Sequence, residues 1–232
     1  MLLPLKDENP SQSFPSVVAA LIIVNFLIFF YELSLSAAGL QHLVQRFGLT
    51  PYYLLHPSAS PLHPVWLAYF TIFSSMFLHG GFEHIAGNML FLWIFGNNVE
   101  DAEGHWHFLL FYLAAGTVAA LTQTVVFPGS EIPSIGASGA IAGVLGAYIV
   151  LFPRARVITV ILPFIFLPFY LPTYIVIGLW FLLQLFSGLL SITGSLAAPI
   201  AFFAHIGGFI TGILLVRFLK QRRFKVKEGY RW

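Results

Sequence analysis

The chain contains no cysteine, which excludes a disulfide framework, a thiolate zinc site, a cysteine nucleophile and an iron–sulfur cluster. Charge is nearly as scarce. Asp, Glu, Lys and Arg make up 9% of the 232 residues, against about 25% in an ordinary soluble domain. That is too little charge to coat a soluble surface of this size. Hydrophobic residues reach 58% and the mean hydropathy is +0.86, which excludes a disordered chain. What the chain does have is one apolar run after another. At roughly 20 residues per membrane crossing, this length holds about six helices and little else.

Within hydrocarbon every backbone polar group must be paired inside the protein, so the apolar runs are expected as helices. They fall at Ser16–Leu33, Phe82–Val99, Trp106–Phe127, Ser138–Phe152, Tyr170–Leu190 and Pro199–Phe218. Residues 34–81 carry Pro51, Pro57, Pro61 and Pro64 among Tyr52, Tyr53, Trp66 and Tyr69. This stretch is too broken for a span and too apolar for a free loop. Amphipathic aromatics favour the headgroup layer, so an outer interfacial loop is expected there. Residues 157–169 are apolar but interrupted by Pro163 and Pro168, and read either as a seventh span or as an extension of the fifth.

The cations decide between six spans and seven. With six spans and the N-terminus inside, Lys6, Arg154, Arg156, Arg217, Lys220, Arg222, Arg223, Lys225, Lys227 and Arg231 all lie on the cytoplasmic side, and only Arg46 lies outside. Positive charge concentrates on the cytoplasmic side of membrane proteins, and a seventh span would put the tail cations on the wrong side. The expectation is an all-α, polytopic, six-span protein with cytoplasmic N- and C-termini. It forms a single domain over residues 1–232, with a cytoplasmic segment at 1–15 and a basic tail at 219–232. Ser36-Ala37-Ala38 offers small residues for a signal peptidase. The long apolar run, with Asp7 and Glu8 beside Lys6, reads instead as a retained span. The tail cations read as topology determinants and contacts to anionic lipid, not as a nucleic-acid site.

Polar side chains inside a span are expensive and mark function by default. His84 and Asn88 open the second span, Ser138 opens the fourth and His205 lies near the start of the sixth. These three spans run in the same direction, so their first turns share one depth near the outer face. Alone, each residue has a plain reading: Ser138 bonded back to its helix, Asn88 as interhelical glue, His205 as a satisfied core histidine. At one common depth they read as lining an outward-opening cavity. Gly139 with Gly143, and Gly208 with Gly212, form small faces that let the fourth and sixth spans approach closely.

That arrangement permits acyl transfer. A serine hydroxyl needs a base to remove its proton, and His205 is the candidate. The oxyanion needs preset donors. Asn88 can offer its amide, His84 shares its helix face at i, i+4, and the Ser138 backbone N–H sits at a helix start, where amides lack intrahelical acceptors. Asp7 and Asp101 are read as cytoplasmic. Among the glutamates only Glu83 and Glu131 are read as near the outer face, so a Ser–His dyad is expected rather than a triad.

Gly136-Ala137-Ser138-Gly139 matches GxSG, Ala204-His205 with Gly208 and Gly212 matches AHxxGxxxG, and His79, His84 and Asn88 match HxxxxHxxxN. Gly96-Asn97-Asn98-Val99-Glu100-Asp101 also looks like the cytoplasmic end of the second helix in bacterial members. On these motifs, over roughly residues 65–220, the chain resembles the rhomboid intramembrane serine proteases. The resemblance implies Ser138 as nucleophile, His205 as base, and His84 and Asn88 in the oxyanion hole, with Gly136 and Ser138 beside them. It implies that the fifth span and the Ser187–Ala198 loop act as gate and cap. It implies single-span membrane proteins as substrates. His79 is left between shaping the loop and taking part in the chemistry.

Two positions depart from the pattern. The aromatic expected four residues after the serine is Ala142, so either another ring stacks on His205 or only Ser138 and packing hold it. Trp66 is followed by Leu67, where some members have an arginine. The competing readings are a metalloprotease, an aspartyl protease, a small transporter and a non-catalytic client-binding relative. The first lacks His-Glu-x-x-His, the second lacks aspartates in spans, and the third lacks inverted repeats. The fourth would be expected to lack the serine or the histidine. The proposed chemistry requires neither metal nor cofactor. A prokaryotic cytoplasmic membrane is the expected location.

Overall fold

The computed structural model describes residues 2–60, 64–161, 165–193 and 200–218. The tail cations from Lys220 onward, and the part of the expected cap between residues 194 and 199, lie outside the described residues.

Each of the six apolar runs contains helix among the described residues. In chain order the elements are strand β1 (Leu2–Asp7), α1 (Ser16–Ser34), α2 (Ala37–Phe47), α3 (Pro51–Leu55), α4 (Val65–Ser74), α5 (Phe82–Phe91), α6 (Asn97–Glu103), α7 (His105–Val126) and α8 (Ser138–Leu151). Strands β2 (Arg156–Ile161) and β3 (Ile165–Pro172), then α9 (Thr173–Ile192) and α10 (Phe202–Leu215), follow among the described residues. A π-helical turn at Leu92–Gly96 joins α5 to α6, so the second span continues as one helix past its expected end at Val99. Residues 34–81, expected as an interfacial loop, hold the short helices α2, α3 and α4, punctuated at the prolines.

Among the described residues α1, α7 and α9 are long and apolar enough to cross a membrane. A fourth crossing arises if Val65–Phe77 and Phe82–Glu103, bent by 81°, count as one broken span. α8 and α10 are shorter apolar helices of 14 residues each. At 1.5 Å per residue that is about 21 Å, less than hydrocarbon about 30 Å thick. The chain is a mostly helical, multi-pass membrane protein.

Lipid tails are as apolar as leucine side chains, so helices in a membrane associate through close packing. α8 and α10 achieve this at glycines. A Cβ at Gly208 would fall on the Gly139 carbonyl oxygen, and one at Gly212 on the Gly143 carbonyl. On its other side α8 meets α7, where a Cβ on Gly139 would lie 2.8 Å from that of Ala119, with Gly143 similarly against Ala115. α8 is therefore wedged between α7 and α10. Tyr112, Tyr148, Phe95 and Phe108 fill the core below this crossing and are fully buried.

The all-α expectation fails in one place. β1, β2 and β3 form an antiparallel sheet in that order. Residues 157–161 and 165–169 are thus strand, neither a seventh span nor an extension of the fifth. Pro168 would remove a hydrogen bond from a helix interior and kink it, and Val157-Ile158-Thr159-Val160 is a β-branched run suited to a strand. α9 accordingly starts at Thr173, not Tyr170, because Tyr170–Pro172 belong to β3.

Buried carboxylates fasten the N-terminal segment to this end of the helices. The Glu100 carboxylate accepts the Val17 and Val18 backbone N–H groups at 2.9 and 2.8 Å, satisfying amides that open α1. Asp101 accepts the Gln12 N–H and the Ser13 hydroxyl. Asp7, at the end of β1, accepts the Asn98 amide at 2.7 Å and the Tyr148 hydroxyl at 2.6 Å.

Burial pushes the Asp7 carboxyl up to about 6, even though its bond from Tyr148 acts in the opposite direction. The folded chain therefore holds this proton more tightly than the unfolded chain. The stability it contributes is fully present below the ordinary value of 3.8 and is lost as pH rises through about 6. Asp7→Asn should flatten that component. Thermal midpoints in detergent across this range should fall with rising pH more steeply for the wild type than for the variant. Parallel curves would contradict the assignment.

Candidate active site

Ser138 is the first residue of α8, so its position is fixed by a helix start and by the loop that feeds it. That loop is held from two sides. Ser134 and Leu49 exchange backbone bonds at 3.0 and 2.8 Å, and the Gly136 N–H donates to the Ser75 carbonyl at 2.8 Å. Gly136 has φ +123°, a conformation that L side chains rarely adopt. His205 sits in the first turn of α10. Its Nε2 lies 2.7 Å from Ser138 Oγ. The expected convergence of these two residues is thus what the fold produces.

The opposite ring nitrogen of His205 has a partner absent from the sequence reading. Gln184 Oε1, from α9, lies 2.8 Å from His205 Nδ1. One turn earlier on the same face, the Trp180 ring lies 5.9 Å from the imidazole, tilted by 37°. Ala142 is fully buried, and the ring beside His205 comes from α9 instead of α8. A signal for Gln184 was present, since it is a polar residue in the middle of an apolar run.

Asn88 and His84 line the other wall. Asn88 Nδ2 is 2.9 Å from His79 Nε2, so one amide hydrogen goes to that ring and the second remains available. The Gly80 N–H donates to His84 Nδ1 at 3.3 Å, which places the proton of a neutral ring on Nε2. A Cβ on Gly136 would stand 2.7 Å from His84 Nε2 and 3.6 Å from Asn88 Nδ2. The space that glycine leaves open therefore faces both donors. His79 is buried with its ring edge-on to His84, its centroid 5.1 Å away. Its backbone N–H donates to the Glu32 carboxylate at 3.1 Å. His79 thus braces Asn88 from behind.

Glu32 corrects the reading of the glutamates. It lies at the C-terminal end of α1, is buried, and belongs to the site's surroundings along with the exposed Glu83. It faces His79, not His205, so it supplies no carboxylate to the Ser–His pair. Ser138, His205, Asn88, His84 and Trp180 line one cavity of about 910 Å³.

The Rhomboid domain model matches residues 67–222 of the chain. Rhomboid-like protein 11, chloroplastic, of Arabidopsis thaliana is 31% identical over 138 residues, which cover 60% of this chain and 43% of that protein. Rhomboid protein 1, mitochondrial, of Saccharomyces cerevisiae is 29% identical over 177 residues, 70% of this chain and 46% of its own length. Rhomboid protease GluP of Bacillus subtilis is 50% identical over 70 residues, 30% of this chain and 13% of that protein. The chain spans less than half the length of each of these relatives.

The tight fit at Gly136 predicts a specific pattern of rescue. Gly136→Ala should lower the thermal midpoint, because its Cβ strains the backbone and crowds His84. Adding His84→Ala should recover the steric part and leave the backbone part. Strictly additive losses in this double-mutant cycle would show that the two residues are not in contact.

Proposed function

This chain belongs to the rhomboid family, and we propose that it is an intramembrane serine endopeptidase that cuts single-span membrane proteins in or beside their transmembrane segments. The observation that carries the proposal is the 2.7 Å approach of Ser138 Oγ to His205 Nε2 within a cavity. A serine merely satisfying its own helix would bond to a carbonyl one turn back.

In this reading Ser138 Oγ–H gives its proton to His205 Nε2 as Oγ attacks the scissile carbonyl carbon. The negative charge that collects on the carbonyl oxygen is met by the free Asn88 amide hydrogen, by His84 Nε2–H and by the Ser138 backbone N–H. Collapse of the tetrahedral intermediate breaks the C–N bond, and His205 returns its proton to the leaving amine. A water deprotonated by His205 then hydrolyses the acyl group from Ser138. Every proton taken up is given back, so the chemistry is complete without a further reagent.

Six crossings, cytoplasmic termini and residence in a prokaryotic cytoplasmic membrane are part of the same reading. The cation distribution supports it, with Arg46 alone on the outer side. Because the native chain has no cysteine, single introduced cysteines report accessibility without a competing background.

Purified protein in detergent or liposomes should hydrolyse a labile transmembrane substrate. Ser138→Ala and His205→Ala should each abolish turnover, and Asn88→Ala should lower it by about 10-fold or more. A fluorophosphonate should label Ser138 and no other serine. Undiminished cleavage by Ser138→Ala would reject the mechanism. Tight client binding without cleavage by the wild type would favour the non-catalytic alternative.

A further inference from the structure

We propose that Gln184 is the positioning residue that orients the His205 imidazole, so that the working unit is Ser138–His205–Gln184 with its third member carried by α9. The inference deepens the serine-protease reading above and rests on it. For Ser138 to lose its proton, His205 Nε2 must present a lone pair, which puts the ring proton on Nδ1. Gln184 Oε1 stands 2.8 Å from Nδ1 and accepts that proton's hydrogen bond. The two ring nitrogens are thus assigned by their partners, with Nδ1–H donating to Gln184 and Nε2 accepting from Ser138 Oγ–H.

Gln184 does not stand alone on its helix. Trp180, four residues earlier, lies beside the same imidazole. Gly188, four residues later, lets α9 pack closely on α10, where a Cβ would meet Ile206 at 3.3 Å and Phe203 at 3.4 Å. Trp180, Gln184 and Gly188 form one stripe directed at the N-terminal turn of α10. The outward positions Leu179, Leu182, Leu183 and Phe186 are exposed, as a lipid-facing surface would be. A neutral amide differs from the carboxylate of a triad in one respect. It fixes the ring's tautomer and plane without adding charge to stabilise the imidazolium. The other titratable side chains lining this cavity among the described residues are His84 and Glu83, both from α5.

The bland reading is that the histidine merely satisfies a glutamine stranded in an apolar helix. The test separates the two with Gln184→Leu, which removes the acceptor, and Gln184→Glu, which keeps an acceptor and adds charge. Wild type, both variants and Ser138→Ala are assayed as full-length protein against a transmembrane substrate over a pH series. Fluorophosphonate labelling rates and thermal midpoints are measured in parallel.

Gln184→Leu should lower kcat and the Ser138 labelling rate together by about tenfold, the size of one well-placed hydrogen bond, with KM unchanged. Gln184→Glu should restore the rate and move the acid limb of the pH profile to higher pH, because a carboxylate there holds the imidazolium. Wild-type kcat and labelling in Gln184→Leu would overturn the proposal. So would an unshifted acid limb in Gln184→Glu with the same loss as Gln184→Leu. If wild type cleaves, Ser138→Ala does not and Gln184→Leu is unimpaired, only the positioning role falls. If wild type neither cleaves nor labels, the protease reading falls and this inference falls with it.

Discussion

The contact of α8 with α10, backbone against backbone, is what the rest of the site depends on. Ser138 begins one helix and His205 lies in the first turn of the other. Their 2.7 Å approach leaves no tolerance for a wider crossing. Gly139 against Gly208 and Gly143 against Gly212 set that crossing, because even one methyl group at either level would fall on a carbonyl oxygen. The α7 residues Ala115 and Ala119 close the opposite side, so α8 cannot retreat without opening a gap there. A serine carried at a helix start that is clamped on two faces is held in place before anything binds.

The second wall is built differently, from polar groups instead of small ones. Glu32 takes the backbone N–H of His79, His79 takes an amide hydrogen of Asn88, and Gly80 donates to His84. In apolar surroundings each of these groups would be costly if left alone, and for the same reason each is firmly oriented when paired. The loop carrying His79, Gly80 and Gly81 falls at the sharp bend between α4 and α5. Gly81, at φ +156°, lets the backbone turn there, and the buried His79 lies between the two helices. The side-chain donors of the candidate oxyanion site, Asn88 and His84, thus sit on α5, and the bend before it supplies their partners His79 and Gly80.

Much of this was legible in the sequence because helices in hydrocarbon obey a simple rule: apolar length marks the element, and any polar residue within it is an exception that needs a cause. Ser138, His205, Asn88 and His84 stood out as such exceptions, and small-residue spacing identified the helices that touch. Gln184 and Glu32 are exceptions of the same kind, but neither lies in the opening turns of its helix, where the other four polar residues cluster. The rest of residues 173–192 is apolar nearly all round, so Gln184 is the main mark of which face turns inward. The sheet was hidden for a different reason. Leu2–Asp7 is too short to announce itself, and its partner at Arg156–Ile161 is more than a hundred residues away. Apolar runs of that length do not distinguish strand from span. The prolines and the β-branched run at 157–160 argue against a helix, but neither indicates a partner.

The sheet also bears on how firmly α9 holds Gln184. β3 passes directly into α9 at Pro172 and Thr173, with no intervening loop. At that junction the Thr173 N–H and hydroxyl both bond to the Ala155 carbonyl, at 2.9 and 3.0 Å. The base of α9 is therefore pinned to the end of α8 through the segment that starts β2. Most of the helix beyond it is lightly embedded, with Thr173, Val176, Ile177 and Gly188 its only fully buried residues. Gln184 lies eleven residues from this base, about 17 Å along the axis at 1.5 Å per residue. A rigid tilt of about 10° about the base would then carry it about 3 Å at the same rise per residue. That is as long as the bond it makes to His205. Of the three long apolar helices, the least buried is thus also the one whose small displacements the imidazole would feel directly.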